Sequence, residues 1–373
     1  MNELERARKT IGEIDREIAR LFCLRMSEAE KIAEYKRAHG LPIYDGDREA
    51  ALIERNSSYI DTPALIPYYT TFQRCVMDVS KQYQRRLTSG MRVAYSGVPG
   101  AFANIACRRI FPDGEAVAHS SFRSAYDAVV KGECDCAVLP IENSYAGDVS
   151  QVVDLMFSGS LYVNGVYDLP VTHHLLAPEG AAFSDIETVV SHPQALSQCE
   201  GYIKKHGFRA IEATNTAIAA RAVAEGGDIR TAAIASAETA ELYGLVVLDH
   251  DINDSNTNTT RFAVFSSAKN EYRGVGGSNF LLMFTVKNAA GSLARAISII
   301  GEHGFNMKVL RSHPMKTLAW QYYFYIEAEG SPEGEDGERM LAELSEVCDK
   351  LKVVGTYNAE TQFCGEPQAD EEA

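Results

Sequence analysis

Residues 91–97 read MRVAYSG, an apolar run of strand length that divides the chain into two kinds of sequence. Before it, residues 1–88 contain almost no strand pattern, and prolines at 42 and 63 separate one long and two shorter helical stretches. After it, short apolar runs such as CDCAVLPIEN (134–143) alternate with helical patterns such as SFRSAYDAVVKGE (121–133). The sequence therefore predicts an all-α module followed by an α/β domain.

A third segment follows the polar, glycine-rich stretch KNEYRGVGGSN (269–279), which is typical of a linker. Beyond it the apolar runs and helical patterns follow the order βαββαβ, the order of the ferredoxin-like α+β unit. The last residues, 361–373, are acidic and are predicted to be disordered. We therefore predict three domains, at residues 1–88, 91–267 and 279–360.

The composition excludes several classes of protein. With 51 acidic and 36 basic residues, the net charge is -15, which argues against binding to nucleic acid. The amino terminus lacks the uncharged core of a signal peptide, and no apolar run approaches the roughly 18 residues of a membrane helix, so we expect a cytoplasmic protein. The eight cysteines are scattered without a C-x-x-C pair, so we expect no metal.

The first helix carries cations on a face that is otherwise mostly apolar. Two interpretations are open: the charged ends reach out to solvent, or they line an internal site for an anion, since a buried charge must be paired. Arginine favours the second, because its planar guanidinium binds carboxylates with two hydrogen bonds. At helical spacing, the face consists of Leu4, Arg8, Ile11, Asp15, Ile18, Phe22, Arg25, Ala29, Ile32 and Lys36.

The next two helices extend this pattern with Asp45-x-x-Arg48-Glu49 and Ser80-x-x-x-Gln84. In order and spacing, the whole set resembles the signature of the all-helical chorismate mutases, in which two chains exchange their long helices. The resemblance implies a site that also contains Ser80 and needs no cofactor, because the Claisen rearrangement is unimolecular. It implies that Arg8, Arg25 and Arg48 hold the substrate carboxylates, with Arg8 reaching into the partner chain's site. Lys36 and Gln84 would face the ether oxygen. Asp45 and Glu49 would bind the ring hydroxyl.

In the middle segment, polar clusters lie at predicted strand ends and helix starts, where α/β proteins place their sites. The motifs IENS, SHPQAL-x-QC and TRF resemble prephenate dehydratase over residues 91–267. This resemblance implies two α/β lobes around a cleft, as in periplasmic solute-binding proteins, with the chain crossing between lobes twice. It implies that Arg261 binds a carboxylate, that Phe262 packs near the ring, and that Glu142, Asn143, Ser144, Ser191, Gln198 and Thr216 complete the polar lining.

Two residues compete for the group that assists departure of hydroxide in this family. Thr260 is the first candidate, and Glu142 is the second if burial raises its pKa enough to make it a proton donor. The sequence leaves the choice open. His173 matches a histidine of the family, and we expect a structural role for it.

The C-terminal segment resembles an ACT domain, the amino-acid-sensing module of these enzymes. Its motifs Gly291-Ser292-Leu293-Ala294 and Arg311-Ser312-His313-Pro314 stand where the family has Gly-Ala-Leu-Val and Glu-Ser-Arg-Pro. The resemblance implies that these eight residues bind an effector, L-phenylalanine, at an interface between paired domains. Helix exchange and domain pairing both predict a homodimer or a higher homo-oligomer.

A hypothesis from a different class is a sensor that keeps the cleft and the ACT unit without catalysing, and a narrower one keeps only one activity. The intact Lys36 and Thr260-Arg261 favour the enzyme. We therefore predict a bifunctional enzyme of phenylalanine biosynthesis with chorismate and prephenate as its substrates.

Overall fold

A computed structural model of the protein describes residues 2–39, 46–270, 278–315 and 321–358. The chain forms two compact units. The first comprises residues 1–92 with 113–115, and the second comprises residues 93–112 with 116–373. The predicted linker and C-terminal tail fall largely outside the described residues, and so does Asp45.

Twelve α-helices and fifteen strands occur within the described ranges. The helices are α1 Glu3–Ala38, α2 Gly46–Ser57, α3 Ile66–Ser89, α4 Phe102–Ile110, α5 Phe122–Val130, α6 Ser150–Ser158, α7 Pro193–Gln198, α8 Glu200–His206, α9 Thr216–Gly226, α10 Ala237–Tyr243, α11 Ser292–Glu302 and α12 Glu335–Val347. The strands are β1 Arg92–Ser96, β2 Glu115–His119, β3 Cys136–Asn143, β4 Gly147–Asp148, β5 Tyr162–Pro170, β6 His174–Ala177, β7 Thr188–Ser191, β8 Arg209–Glu212, β9 Thr231–Ala235, β10 Val246–Asp249, β11 Thr259–Ser266, β12 Ser278–Val286, β13 Met307–Pro314, β14 Tyr322–Glu329 and β15 Cys348–Asn358.

The first unit consists of the helices α1, α2 and α3, as the lack of strand pattern predicts. A capping box starts α1, because the Asn2 side chain accepts a hydrogen bond from the Glu5 amide and the Glu5 carboxylate accepts one from the Asn2 amide. At 36 residues, the helix is about 54 Å long. Its C-terminal half buries alanines at 29 and 33, whereas residues 4–22 expose a row of apolar side chains to solvent. That row is Leu4, Ile11, Ile14, Ile18, Leu21 and Phe22.

The second unit begins with two lobes, each built on its own mixed sheet. The first sheet has the strand order β2-β1-β3-β11-β5, with β4 added to β3, and the second has the order β10-β6-β9-β7-β8. The chain passes from the first sheet to the second between β5 and β6 and returns between β10 and β11. This double crossing agrees with the expected two-lobed α/β architecture.

The C-terminal part of the second unit is an antiparallel sheet with the order β13-β14-β12-β15. Its elements follow the predicted order βαββαβ. One face packs against α11 and α12 through a core that includes Phe280, Ile299 and Met340. The other face contributes Tyr323 and Tyr325 to the core of the first lobe, so the two sheets share one apolar interior.

No helix in the described part of the chain is long and apolar enough to span a membrane.

Candidate active sites

The helical unit encloses a cavity of about 150 Å³ that collects most of the residues predicted for its site. Six of them line it, two from each helix: Arg25 and Lys36 from α1, Arg48 and Glu49 from α2, and Ser80 and Gln84 from α3. Arg8 lies on the exposed N-terminal half of α1 and does not line the cavity. The wall also contains Lys81, which the sequence analysis missed although it lies next to Ser80.

The lining of this cavity is strongly cationic, although the whole chain is acidic. Among the described residues, four basic side chains and the carboxylate of Glu49 line it, and Lys81 lies 3.1 Å from Glu49 and 2.9 Å from Asp78. The Arg25 guanidinium donates a hydrogen bond to the hydroxyl of Ser80. Burial lowers the pKa of Arg25 from its ordinary value, but an arginine remains protonated at neutral pH. A small cavity lined by several basic side chains is suited to a compact anion.

The second candidate site is a cavity of about 280 Å³ in the two-lobed part of the chain. Five of the predicted residues line it: Asn143, Gln198, Thr216, Thr260 and Phe262. The first turn of α4 and the start of α9 also reach it. The N-terminus of α4 has no side-chain cap, and Phe102 and Ala103, whose amides belong to its first turn, line the cavity, as an anion site requires.

Thr260 and Asn143 lie opposite each other on β11 and β3, and their side chains are hydrogen-bonded. The amide nitrogen of Asn143 lies 2.9 Å from the Thr260 hydroxyl oxygen, to which it donates. The amide oxygen of Asn143 accepts hydrogen bonds from the Tyr145 and Ala146 amides, which fixes the orientation of the side chain. The Thr260 oxygen therefore acts as an acceptor toward Asn143, and its own proton remains available to a ligand.

Three further lining residues keep a buried polar atom without a hydrogen-bond partner. These atoms are Nδ1 of His173, Nε2 of Gln198 and Nδ2 of Asn258. The opposite ring nitrogen of His173 lies 2.9 Å from the Gln198 amide oxygen, and burial lowers the pKa of His173, so the ring is neutral near pH 7. Buried polar groups are normally paired, so atoms left over beside a cavity indicate a ligand site.

The sequence analysis assigned only a structural role to His173 and did not single out Asn258. Both residues belong to segments that cross between the lobes, where the chain leaves β5 and approaches β11. Their approach to Gln198 and Asn143 is a long-range effect that periodicity does not reveal. The stretch NTNTTRF (256–262) did contain a signal, because Asn258 lies two residues before Thr260, the spacing that puts side chains on one side of an extended chain.

Four residues predicted for this site lie elsewhere. Ser191 is fully buried and donates to the Ile234 carbonyl at 2.5 Å. The Ser144 hydroxyl is exposed and bridges backbone atoms of Thr257 and Thr259.

Glu142 and Arg261 occupy the opposite face of the sheet from the cavity. Side chains alternate along a strand, so Arg261 points to the opposite face from its neighbours Thr260 and Phe262. On β3 a bulge at Ile141 sets the facing, because Phe262 pairs with Pro140 whereas Arg261 pairs with Glu142. The structure thus offers Thr260, and not Glu142, to a ligand in the cavity.

Of the two predicted effector motifs, the first contributes to a cavity in the described C-terminal part and the second does not. Gly291 precedes α11 with a φ of +84°, and the motif continues through Ser292, Leu293 and Ala294 into the first turn. Leu293 lines a cavity of about 560 Å³ together with Lys287, Asp349 and Lys350. The second motif, Arg311, Ser312, His313 and Pro314, lies on β13 and does not line that cavity.

No group of three or more His, Cys, Asp or Glu side chains suitable for a metal ion occurs among residues 2–39, 46–270, 278–315 and 321–358.

Comparison with known proteins yields two family matches, to chorismate mutase type II over residues 7–85 and to prephenate dehydratase over residues 93–270. The bifunctional chorismate mutase/prephenate dehydratase of Aquifex aeolicus is 32% identical over 96% of this chain and 98% of its own length. Two solved structures each cover 72% of this chain. One, described as GqqA, a novel type of quorum-quenching acylase, is 32% identical over 98% of its chain, with a TM-score of 0.67. The other, a prephenate dehydratase from Arthrobacter aurescens in complex with L-Phe, is 25% identical over 90% of its chain, with a TM-score of 0.66.

Proposed function

We propose a specific role for the residues of each of the two sites. The premise is that this chain belongs to the family of bifunctional chorismate mutase/prephenate dehydratases. Membership of the family makes the chain an enzyme of phenylalanine biosynthesis with two activities. The first is the rearrangement of chorismate to prephenate, and the second is the conversion of prephenate to phenylpyruvate, carbon dioxide and water.

The cationic cavity of the helical unit is our proposed mutase site. The rearrangement breaks a C–O bond and forms a C–C bond within one molecule, so the site must hold a compact conformer and stabilise negative charge on the ether oxygen. We assign that charge to Lys36 and Gln84, the substrate carboxylates to Arg25 and Arg48, and the ring hydroxyl to Glu49. The four basic side chains that line this cavity, Arg25, Lys36, Arg48 and Lys81, support the assignment.

The cavity lined by Thr260 and Asn143 is our proposed dehydratase site. As the carboxylate leaves as carbon dioxide, its bonding electrons enter the ring, and the C–O bond to the hydroxyl breaks. We assign to Thr260 the hydrogen bond that stabilises the departing hydroxide, which leaves as water after taking up a proton. The observation that carries this proposal is the Asn143 amide, which donates to Thr260 and so leaves the threonine proton free for the substrate.

Among the described residues, those that line the dehydratase cavity include no Lys, Arg, Asp or Glu. A fixed cation would stabilise the carboxylate of bound prephenate, and that stabilisation would be lost as carbon dioxide forms. Neutral donors hold the carboxylate with less of this penalty. We therefore assign the leaving carboxylate to the amide nitrogens of Gln198 and Asn258, which lack hydrogen-bond partners, and to the uncapped start of α4.

The test is the pair Thr260→Ala and Thr260→Ser, assayed with chorismate as the only substrate. The alanine variant is expected to consume chorismate at the normal rate and to accumulate prephenate, with a roughly 100- to 1000-fold lower rate of phenylpyruvate formation. The serine variant keeps a hydroxyl and is expected to retain most of the activity. Normal phenylpyruvate formation by the alanine variant would remove Thr260 from the mechanism.

We further propose that the C-terminal sheet and its helices form an ACT regulatory domain that responds to L-phenylalanine in a homodimer. Three observations support this: the βαββαβ order, the contribution of only one of the two motifs to the cavity in the described C-terminal part, and the row of exposed apolar residues on α1, which a second chain would cover. The dehydratase rate with L-phenylalanine, and with D-phenylalanine as a control, tests the sensing. A monomeric mass in sedimentation would contradict the dimer.

A further inference from the structure

We propose that Glu327 and Arg311 of the C-terminal sheet are positioning residues for the dehydratase reaction, acting on Thr260 and Asn143 from the far side of their strands. The inference rests on the role proposed for Thr260. It goes beyond effector sensing, because it assigns to the C-terminal part a direct part in the geometry of the site with no effector bound.

The two strands that carry the site have a second set of residues on their other face. Thr260 pairs with Asn143 across the ladder, and the next pair along is Arg261 with Glu142. Thr260 and Asn143 therefore meet the cavity, whereas Arg261 and Glu142 meet the C-terminal sheet. A displacement of Arg261 and Glu142 therefore moves Thr260 and Asn143 as well, because one peptide unit on each strand joins them.

Glu327 holds Arg261 with two hydrogen bonds, of 2.9 and 3.2 Å, in the bidentate geometry that fixes a guanidinium in plane and direction. The Glu327 side chain is only 2% exposed, and a third hydrogen bond of 2.6 Å from the Tyr357 hydroxyl holds it in turn. Burial alone would lower the pKa of Arg261, but the hydrogen bonds and charge of Glu327 outweigh burial and raise it. The contact is therefore a fixed ion pair and not a loose surface contact.

Arg311 holds the neighbouring strand in the same way. Its guanidinium donates to Glu142 and lies 3.3 Å from Asp148, the residue paired with Glu142 on β4. Arg311 thus bridges both strands of the β3–β4 hairpin. The turn of that hairpin supplies the two amides that orient Asn143.

Both contacts tie the site to strands whose other residues are locked into a shared core. Tyr323 and Tyr325 lie on the same face of β14 as Glu327 and pack with the residues under β3 and β11. The C-terminal sheet therefore cannot shift without moving these ion pairs. A displacement of about 1 Å at a reacting group can cost roughly 100-fold in rate.

The test uses Glu327→Gln and Arg311→Gln, each measured for the dehydratase with prephenate and for the mutase with chorismate. We expect the dehydratase kcat to fall by roughly 10- to 100-fold, its KM to stay within about threefold, and the mutase kcat to be unchanged. The matched control is Glu329→Gln, on the same strand, which removes an exposed carboxylate 3.7 Å from Lys308 and should change neither activity. A dehydratase kcat within twofold of the parent in both test variants would overturn the proposal.

Two further measurements separate positioning from stability. Thermal unfolding of each variant shows whether lost activity reflects unfolded protein. If Glu327→Gln, at a buried position, fails to fold, the activity of Arg311→Gln, at an exposed position, still tests the proposal. In a Thr260→Ala background, Glu327→Gln should cause no further loss of kcat, because its effect passes through Thr260. An additive loss would contradict the proposal. If Thr260→Ala itself retains full activity, the proposed function fails and not this inference alone.

Discussion

The substitution Asn143→Asp tests the dehydratase site most directly, because it exchanges one atom of its central hydrogen-bond donor. The amide nitrogen of Asn143 donates to Asn258 Oδ1 at 3.0 Å, to the Thr259 carbonyl at 3.2 Å and to Thr260 at 2.9 Å. The amide oxygen, which accepts from two backbone amides, is kept in the variant. The hairpin turn should therefore survive, and only the donor is lost.

The expected magnitudes follow from these contacts. The new oxygen faces three oxygens that accepted hydrogen bonds, of which the Thr260 hydroxyl can turn to donate instead. The other two lose their donor, and at about 1–3 kcal/mol for each unsatisfied group we expect a loss of roughly 2–6 kcal/mol in the free energy of unfolding. The Thr260 hydroxyl, now facing an acceptor, turns its proton inward and no longer offers it to the substrate. The dehydratase kcat should then fall by about 100- to 1000-fold, as for a lost oxyanion donor.

The assay follows phenylpyruvate formation from prephenate and chorismate consumption in one preparation, with thermal unfolding alongside. The control is Asn164→Asp, which removes donors to Ser266 and Ala268 at the other end of β11 and should lower stability without lowering kcat. Lowering the pH protonates the introduced carboxyl and restores a donor, so the dehydratase should partly recover. A kcat within threefold of the parent, in folded protein, would refute this account of the site.

Three other substitutions give separate tests. Lys36→Met should reduce the mutase kcat by about 100- to 1000-fold and leave the dehydratase unchanged when both are assayed on the purified chain. Gly355→Ala places a Cβ against the carbonyl of Val163, so calorimetry should show that the folded state loses about 1–3 kcal/mol of stability. Burial, aided by Lys350, lowers the pKa of Lys352 to about 8, whereas an unfolded lysine titrates at about 10.4. The unfolded chain therefore holds the extra proton between about pH 8 and 10, stability rises with pH there, and urea unfolding of Lys352→Met should lack that rise.

The sequence predicted the helical site better than the cleft, for a physical reason. Helical spacing fixes which residues share a face, so Arg25 and Lys36 could be placed together from their numbers alone. In the cleft, Thr260, Arg261 and Phe262 were assigned to one site because they form one motif, although strand alternation separates the middle residue from the other two. Alternation was available from the sequence, but the bulge at Ile141, which lets Pro140 and Asn143 both line the cavity, depends on pairing with a distant strand.

The altered effector motif also makes sense only in three dimensions. The family-typical acid at position 311 would lie beside Glu142 and Asp148, adding a third carboxylate to a pair already held together on adjacent strands. Arg311 instead neutralises that pair, and His313, 3.4 Å from Asp148, stands on the same side. The replacement of the family's acidic residue by Arg311 is therefore matched by the two carboxylates that Arg311 contacts on the first lobe, those of Glu142 and Asp148. Its consequence is that this segment of β13 is already engaged by the dehydratase sheet, so an effector that draws on Arg311 must compete with Glu142 and act on Asn143 through that competition.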